Sequence, residues 1–236
     1  MPLWIDVRWR RLQSEIMDQP GLDRQQHVVA LRGLERINRL SRSAGTLWPR
    51  IRSLARQGGP VRVLDVASGG GDVPIRLWQL AHDAGLSVQI DGCDRSAEAV
   101  AYARRQAERH RAPVGFFQAD ALEEELPPGY HVLTSSLFLH HLDAAQAVQF
   151  LRRMGEAAGR LVLINDLERS AAGWLAAYLG TRLLSSSPVV HVDGVRSVEG
   201  AFTLAEVQNL AEQAGLRGAK VIWRWPFRYL LSWRRP

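Results

Sequence analysis

The chain has 236 residues, of which 46% are hydrophobic and 23% charged, with a formal net charge of +6 and a single cysteine, Cys93. This length and composition predict one sizeable α/β domain with an appendage and argue against two large domains. One cysteine excludes an intrachain disulfide and a thiolate zinc cluster. No apolar run reaches membrane-spanning length, and the charged first residues do not resemble a signal peptide, so we expect a cytoplasmic protein.

The positive charge is concentrated near the N-terminus. Residues 1–60 hold eleven arginines and five acidic residues, which accounts for the whole excess. A basic arm is typical of proteins that bind nucleic acid or an acidic surface. Nearly every basic residue of the chain is arginine, and Lys220 is the single lysine. This indicates a compositional bias rather than a phosphate-binding surface. Residues 1–57 are predicted to be helical with a break at 18–21, and they form either a lid over a ligand crevice or an ordinary packing helix.

A glycine turn follows this arm. The sequence VRVLDVASGGGDVPIRL, residues 61–77, reads as a strand, a turn and a helix. Glycines let the backbone turn tightly and approach a ligand, and the first N–H groups of the next helix point into the same turn. By itself this pattern is weak, because any βα corner of a doubly wound sheet shares it.

Four more strands are predicted, at 87–93, 114–118, 131–135 and 161–164, with helices between them. A polar residue stands one or two positions after each of these strands, namely Asp94, Asp120, Ser136 and Asp166. Alternating strands and helices predict a parallel sheet with helices on both faces, and such sheets bind ligands beyond the carboxyl ends of their strands.

The C-terminal third has a different pattern. We expect a helix at 171–184, an irregular loop at 185–200 that carries His191 and Asp193, and a helix introduced by the capping box of Thr203 and Glu206. The last segment, 219–235, reads as two antiparallel strands that turn near Pro226.

The motifs VLDVASGGGD, IDGCD, FFQADAL and YHVLTSSLFLHHL resemble the successive motifs of class I S-adenosylmethionine-dependent methyltransferases, in particular the branch that modifies quinones, phenols and polyketides. The resemblance covers residues 60–166. It implies an α/β, Rossmann-like, seven-stranded mixed sheet that is parallel except for a C-terminal antiparallel hairpin, flanked by helices, with an N-terminal helical lid. It divides the chain into an arm, 1–57, and a methyltransferase domain, 58–236, with an acceptor-site insertion at about 170–200.

The resemblance also implies that S-adenosylmethionine is the cofactor. The residues carried over by position are Asp65, Ala67, Ser68, Gly69 and Gly71 for the amino acid end, Asp94 and Arg95 for the ribose, Asp120 and Ala121 for the adenine, and Ser136 for the methionine moiety. The family usually has glycine where this chain has Ala67, and we expect alanine to be tolerated there if its φ is negative. Dinucleotide binding is disfavoured, because the turn lacks G-x-G-x-x-G and Asp65 would repel a diphosphate.

Methyl transfer to a hydroxyl requires a base near the acceptor. The candidates are His191, ranked first, then His140 or His141, and Asp166. A catechol-type metal site would need a carboxylate after the fourth strand, where Ser135 and Ser136 stand, so no metal is predicted.

We expect a small aromatic or polyketide-type hydroxyl as the acceptor, with C-methylation of a quinone-like lipid as the alternative. The rivals from other classes are an RNA methyltransferase, which the sequence after the fourth strand disfavours, and a non-catalytic partner protein. Peripheral membrane contact and a homodimer are further possibilities.

Overall fold

The computed structural model describes residues 7–16, 23, 29–33, 36–37 and 42–236, and the strands in this part of the chain form one seven-stranded sheet. The strands are β1 Val61–Val66, β2 Val88–Asp94, β3 Gly115–Gln118, β4 Val132–Ser136, β5 Leu161–Leu167, β6 Lys220–Arg224 and β7 Arg228–Arg234. Their order is β3-β2-β1-β4-β5-β7-β6, in which β1 to β5 are parallel and β7 is antiparallel to both neighbours. The predicted sheet and its C-terminal hairpin are confirmed.

Seven α-helices with assigned bounds lie in the described part of the chain. They are α1 Ser43–Ala55, α2 Asp72–Asp83, α3 Ala97–Arg109, α4 Ala144–Ala157, α5 Ala171–Leu184, α6 Pro188–Gly200 and α7 Leu204–Gln213, and a 3-10 turn covers Leu139–His141. Within the described residues, no helix combines the length and the apolar character needed to cross a membrane.

The sheet is covered on both faces. One core contains residues of α1, α2 and α3, with Leu47, Ile51 and Leu77 fully buried, and the other contains residues of α4 and α7 around Phe150 and Met154. Strands buried on both faces need continuous apolar runs, which explains the Val- and Leu-rich sequences of β1, β4 and β5. The chain runs outward from β1 to β3 and then returns to β4. The resulting crevice at the carboxyl ends of β1 and β4 is the usual ligand site of such a sheet.

The predicted N-terminal helix is wrong for residues 7–15, which form an extended strap. The polar groups of the strap bond to distant parts of the chain instead of to one another. The Arg10 guanidinium donates to the carbonyls of Gly200, His140 and Leu142 at 2.6, 3.1 and 2.5 Å, and Arg11 N donates to Glu199 O. The predicted break at 18–21 lies outside the described residues, whereas residues 29–33 and 36–37 are helical.

The predicted loop at 185–200 is also wrong, because residues 188–200 form helix α6. The Ser187 side chain caps the helix by accepting from Val190 N, and Pro188 occupies its first turn. Val189 and Val190 are buried, and burial stabilises a segment whose valines, serine and internal glycine are poor helix formers.

Candidate active site

The turn between β1 and α2 has three residues in the left-handed region: Ala67, Gly69 and Gly71, with φ of 56°, 52° and 78°. A Cβ at Gly69 would meet no atom within 4 Å, so this glycine faces open space. A Cβ at Gly71 would lie 2.7 Å from Phe116 Cζ and 2.8 Å from Ala103 Cβ. The two glycines therefore have different functions, since Gly69 leaves room beside the turn and Gly71 allows the turn to pack against α3 and β3.

The condition under which alanine was expected to be tolerated, a negative φ at Ala67, is not met, because its φ is 56°. The hydrogen bond from Ser68 N to Cys93 O, at 2.9 Å, joins the turn to β2 next to this residue. A left-handed conformation costs a residue with a Cβ roughly 1–2 kcal/mol. Glycine, which the family usually has at this position, adopts this left-handed conformation easily, whereas Ala67 adopts it under strain.

Replacing Ala67 with glycine is expected to raise the free energy of unfolding by about 0.5 kcal/mol. Relief of the left-handed strain contributes ~1–2 kcal/mol, and the greater freedom of glycine in the unfolded chain takes back ~0.4–1 kcal/mol. Urea unfolding measures the difference. Ala101→Gly, inside α3, is the control and should lose about 1 kcal/mol. Equal losses in the two variants would contradict the strain at Ala67.

Asp65 is the most enclosed acid of the crevice, with only 1% of its surface exposed. Burial raises the pKa of Asp65 to about 7, against the effect of the Thr134 hydroxyl, which donates to Asp65 Oδ1 at 2.5 Å, and the charges of Asp72 and Asp94 add to the rise. Three acids close together favour a positively charged ligand. The buried hydroxyls of Ser68 and Ser136 have no hydrogen-bond partner among the described residues, so this edge also has donors and acceptors to offer.

Asp94 is the last residue of β2, and Asp120 comes two residues after β3, at the same edge of the sheet. Asp94 Oδ2 accepts from Gly69 N at 2.8 Å and Oδ1 accepts from Ser96 N at 2.9 Å, which fixes the carboxylate against the glycine turn. Asp120 Oδ1 accepts from Leu122 N at 2.9 Å, with Ala121 buried between them. The structure thus brings these predicted cofactor residues to one edge.

Arg95 and Ser136 complete the predicted cofactor set. Arg95 follows Asp94 directly, and its carbonyl accepts from the Gln118 side chain at 2.9 Å, next to the end of β3. Ser136 is the last residue of β4, and its Cα pairs with that of Asn165 on β5. The binding roles of the whole set stay predictions.

A second polar cluster lies at the carboxyl end of β5 and in the turn after β4. His140 Nδ1 is 2.6 Å from Asp166 Oδ1, His140 Nε2 is 3.5 Å from Glu15 Oε1, and His141 Nε2 is 3.9 Å from Glu15 Oε2. Asp166 is fully buried and also accepts from the backbone N–H groups of Phe138, His140 and Leu167. We call Glu15, His140, His141 and Asp166 the imidazole cluster.

His140 has the electrostatics of a buried cation. Burial alone would lower the pKa of its imidazole, but the charge and hydrogen bond of Asp166, together with those of Glu15, outweigh burial and raise the pKa to about 10. The same interactions lower the pKa of Asp166 in spite of its burial. An imidazole that keeps its proton at neutral pH is a poor base, so the raised pKa disfavours His140 as the proton acceptor.

Glu15 is the member of this cluster that sequence reasoning missed. It lies in the extended strap, where Ile16 N donates to Asp193 Oδ1 at 2.8 Å and the Ser197 hydroxyl donates to Glu15 Oε1. Nothing in the local sequence separates Glu15 from the other acids of the basic arm. Its partners are more than a hundred residues away, so only the tertiary structure reveals it.

His191, ranked first as the base, lies on α6 with Nε2 2.7 Å from Ser185 O. Asp193, two residues later, is buried and anchors the strap. The catalytic role of His191 stays a prediction.

The sheet order, the glycine turn and the acidic strand ends define a Rossmann-like methyltransferase fold. Residues 63–158 match the family model described as "Methyltransferase domain". The predicted resemblance to the S-adenosylmethionine-dependent methyltransferases is thus confirmed for this part of the chain.

A curated relative also matches part of the chain. The chain is 35% identical over 133 residues to demethylmenaquinone methyltransferase of Thermus thermophilus, and the match covers 55% of this chain and 59% of that enzyme. It thus spans less than two thirds of the relative.

Two solved structures illustrate the shared fold. The S-adenosylmethionine-dependent methyltransferase SibL has a TM-score of 0.68 at 20% identity, with 98% of this chain and 65% of that chain covered. The O-methyltransferase NcsB1 of neocarzinostatin biosynthesis, in complex with S-adenosyl-L-homocysteine and 1,4-dihydroxy-2-naphthoic acid, has a TM-score of 0.53 at 24% identity, with 73% of this chain and 48% of that chain covered. At these identities the likeness establishes the fold.

Proposed function

We propose that this protein transfers the methyl group of S-adenosylmethionine to a hydroxyl of a small aromatic or polyketide-type acceptor. The observation that supports it best is the set of acids at consecutive strand ends, Asp65, Asp94 and Asp120, beside the open side of Gly69. The cofactor has an ammonium group, a ribose diol and an adenine amine, all of which donate hydrogen bonds, and it has no phosphate. Carboxylates match those donors and would repel a dinucleotide.

The acceptor is inferred from the relatives and from the surface of α5. The curated relative is named for demethylmenaquinone, and NcsB1 was crystallised with a dihydroxynaphthoic acid, so both names point to oxygenated ring systems. Helix α5 exposes Leu175, Leu179 and Leu183, the last at 83%, which supports a hydrophobic acceptor or contact with a membrane surface. C-methylation of a quinone-like lipid is the second candidate, favoured by the demethylmenaquinone relative.

In the proposed reaction the acceptor oxygen loses its proton and attacks the methyl carbon in line with sulfur. The new O–C bond forms as the S–C bond breaks, and the electron pair stays on sulfur, which becomes a neutral thioether. The protein aligns the two reactants and excludes water, and a base accepts the proton. His191 and His141 are the proton acceptors to compare, because His141 is 23% exposed whereas His140 is enclosed by carboxylates.

Incubation with methyl-labelled cofactor and a panel of phenols, hydroquinones, small lipids and RNA tests the proposal. We expect label on an oxygen of a phenol or hydroquinone, and titration calorimetry should detect the cofactor but not NADH. Label on a ring carbon would select the second candidate, and label on RNA would select the nucleic-acid rival. Absence of cofactor binding would overturn the proposal in favour of a non-catalytic partner protein.

Replacing the base should lower kcat at neutral pH by roughly 100-fold or more and leave the affinity for S-adenosylhomocysteine within a few-fold of the wild type. His191→Gln and His141→Gln are compared by steady-state kinetics on the accepted substrate. His110→Gln, at an exposed position after α3, is the control. Wild-type kcat in both variants would remove the histidine base from the mechanism.

A further inference from the structure

We propose that Glu15, His140 and His141 form a binding site for a divalent transition-metal ion, with Zn²⁺ as the reference ion. The site stands on its own geometry and does not depend on the proposed methyl transfer. Its donors are two imidazoles and one carboxylate. It therefore differs from the catechol-type metal site, which needs a carboxylate where Ser135 and Ser136 stand.

The donor atoms already have nearly the spacing that an ion requires. One ligand atom from each of the three residues lies within 4.8 Å of the other two. Around tetrahedral zinc, with bonds of about 2.0–2.1 Å, neighbouring ligand atoms are roughly 3.3–3.4 Å apart. Glu15 Oε1 lies 3.5 Å from His140 Nε2 and Glu15 Oε2 lies 3.9 Å from His141 Nε2, so each imidazole faces a different oxygen of the carboxylate and the three donors must draw together to hold one ion. Closing the site needs a rotation of His141, which is 23% exposed, towards the buried Glu15 and His140 side chains.

The surroundings of the donors are those of a metal ligand set. A metal-binding histidine usually donates its second ring N–H to a carboxylate, which fixes the ring and makes the other nitrogen a better ligand. His140 Nδ1 has this partner in buried Asp166, at 2.6 Å, so its Nε2 is the nitrogen that faces Glu15, and an ion bound there would displace the proton from Nε2. The Ser197 hydroxyl donates to Glu15 Oε1 and orients the carboxylate in the same way. Both outer partners are in place.

The strap that carries Glu15 is fixed on both sides of that residue. Arg10 binds three carbonyls before it, and Ile16 N binds Asp193 after it. A carboxylate delivered by a tethered strap loses little freedom when it binds an ion, which favours affinity. Two imidazoles and a carboxylate form the ligand set of His₂Glu zinc sites, in which the fourth position is open to water or substrate.

An ion at this site would supply Lewis acidity. A hydroxyl oxygen bound to it would lose its proton at a lower pH than in water, which suits an acceptor hydroxyl. The chain's own contribution would be to fix the ion beside the end of β4, with Asp166 and Ser197 holding the ligands.

Zinc binding to the chelator-treated full-length protein tests this site. Isothermal titration with ZnCl₂ should show one ion per chain with a Kd at or below the micromolar range, and saturating zinc should raise Tm by roughly 5–10 °C. Glu15→Gln and His141→Gln should each weaken binding at least 10-fold, and Asp166→Asn should weaken it 10- to 100-fold through the orientation of His140. His110→Gln should bind as the wild type does.

Cobalt(II) supplies a second readout. Its visible absorption in a low-symmetry nitrogen and oxygen site should appear with wild-type protein and be lost in His141→Gln. Affinity for S-adenosylhomocysteine should be unchanged in these variants, which verifies their folding and separates this proposal from the one on methyl transfer. Weak zinc binding with no defined stoichiometry, or equal affinity in Glu15→Gln, His141→Gln and the wild type, would overturn the site.

Discussion

Asp65→Asn is expected to weaken binding of S-adenosylmethionine on the order of 100-fold and, at the same time, to stabilise the ligand-free protein at pH 8. The loss of affinity follows because a buried carboxylate that pairs with the cofactor's ammonium is worth about 3 kcal/mol. The gain in stability follows because the ionised carboxyl is held in a position where 1% of its surface is exposed.

The sign of the pH dependence comes from the pKa of Asp65, about 7 in the folded protein against an ordinary value of 3.8. Between these two values the folded state holds a proton that the unfolded state has released. The contribution of Asp65 to stability therefore falls as pH rises from about 4 to 7 and is constant above 7. At ~1.36 kcal/mol per pKa unit, its removal gains a few kcal/mol at pH 8.

Urea unfolding at pH 5 and pH 8, with calorimetric titration of S-adenosylhomocysteine, measures both effects. Asp83→Asn, an equal charge change at the exposed end of α2, should alter neither quantity. The cofactor's cation favours the ionised form of Asp65, so affinity for the wild type should rise with pH up to about 7 and that for Asp65→Asn should not. A variant that is less stable than the wild type at pH 8 would contradict this account.

Gly71→Ala is expected to destabilise the protein by about 3 kcal/mol and to lower Tm by roughly 6–12 °C. The left-handed φ of 78° costs ~1–2 kcal/mol, and the added methyl group, 2.7 Å from Phe116 Cζ and 2.8 Å from Ala103 Cβ, adds ~1–3 kcal/mol of overpacking. The nearby atoms belong to the buried side chains of Phe116 and Ala103, so the clash is not easily relieved.

Gly69→Ala is the matched control, because it has the same sign of φ and open space around its Cβ. We expect a loss of ~1–2 kcal/mol in stability, from the backbone alone. Because the proposed function puts the cofactor in the open space beside Gly69, we also expect a clear loss of cofactor affinity. Thermal unfolding and calorimetry separate the two positions. Equal destabilisation by the two substitutions would show that packing at Gly71 is not the stronger constraint.

Most of the sheet was predictable because its signals are local. Strands β2 to β5 each have a polar residue at or just after their carboxyl end. The helices carry their own start signals: Ser96, Asp143 and Thr203 accept from backbone N–H groups three residues on. The positions of the acids at the strand ends could be predicted from the same alternation of strands and helices. Their arrival at one edge follows from the parallel order of the strands.

The strap and α6 were not predictable from local signals. The strap is extended because Arg10 and Arg11 bond to groups more than a hundred residues away. Helix α6 has weak helix formers and depends on the Ser187 cap and on burial of Val189 and Val190. Prediction of the imidazole cluster was partial for the same reason, since His140 and Asp166 are both at strand ends whereas Glu15 is brought by the strap.

The strap has a consequence for how the protein can diversify. Under the proposed function, residues 65–136 hold the methyl donor, whereas the strap contacts α6 and the turn after β4. Substitutions at residues 7–16 can then alter which molecule is accepted without disturbing the donor. Grafting this short segment between homologues offers a compact route to new acceptor selectivity.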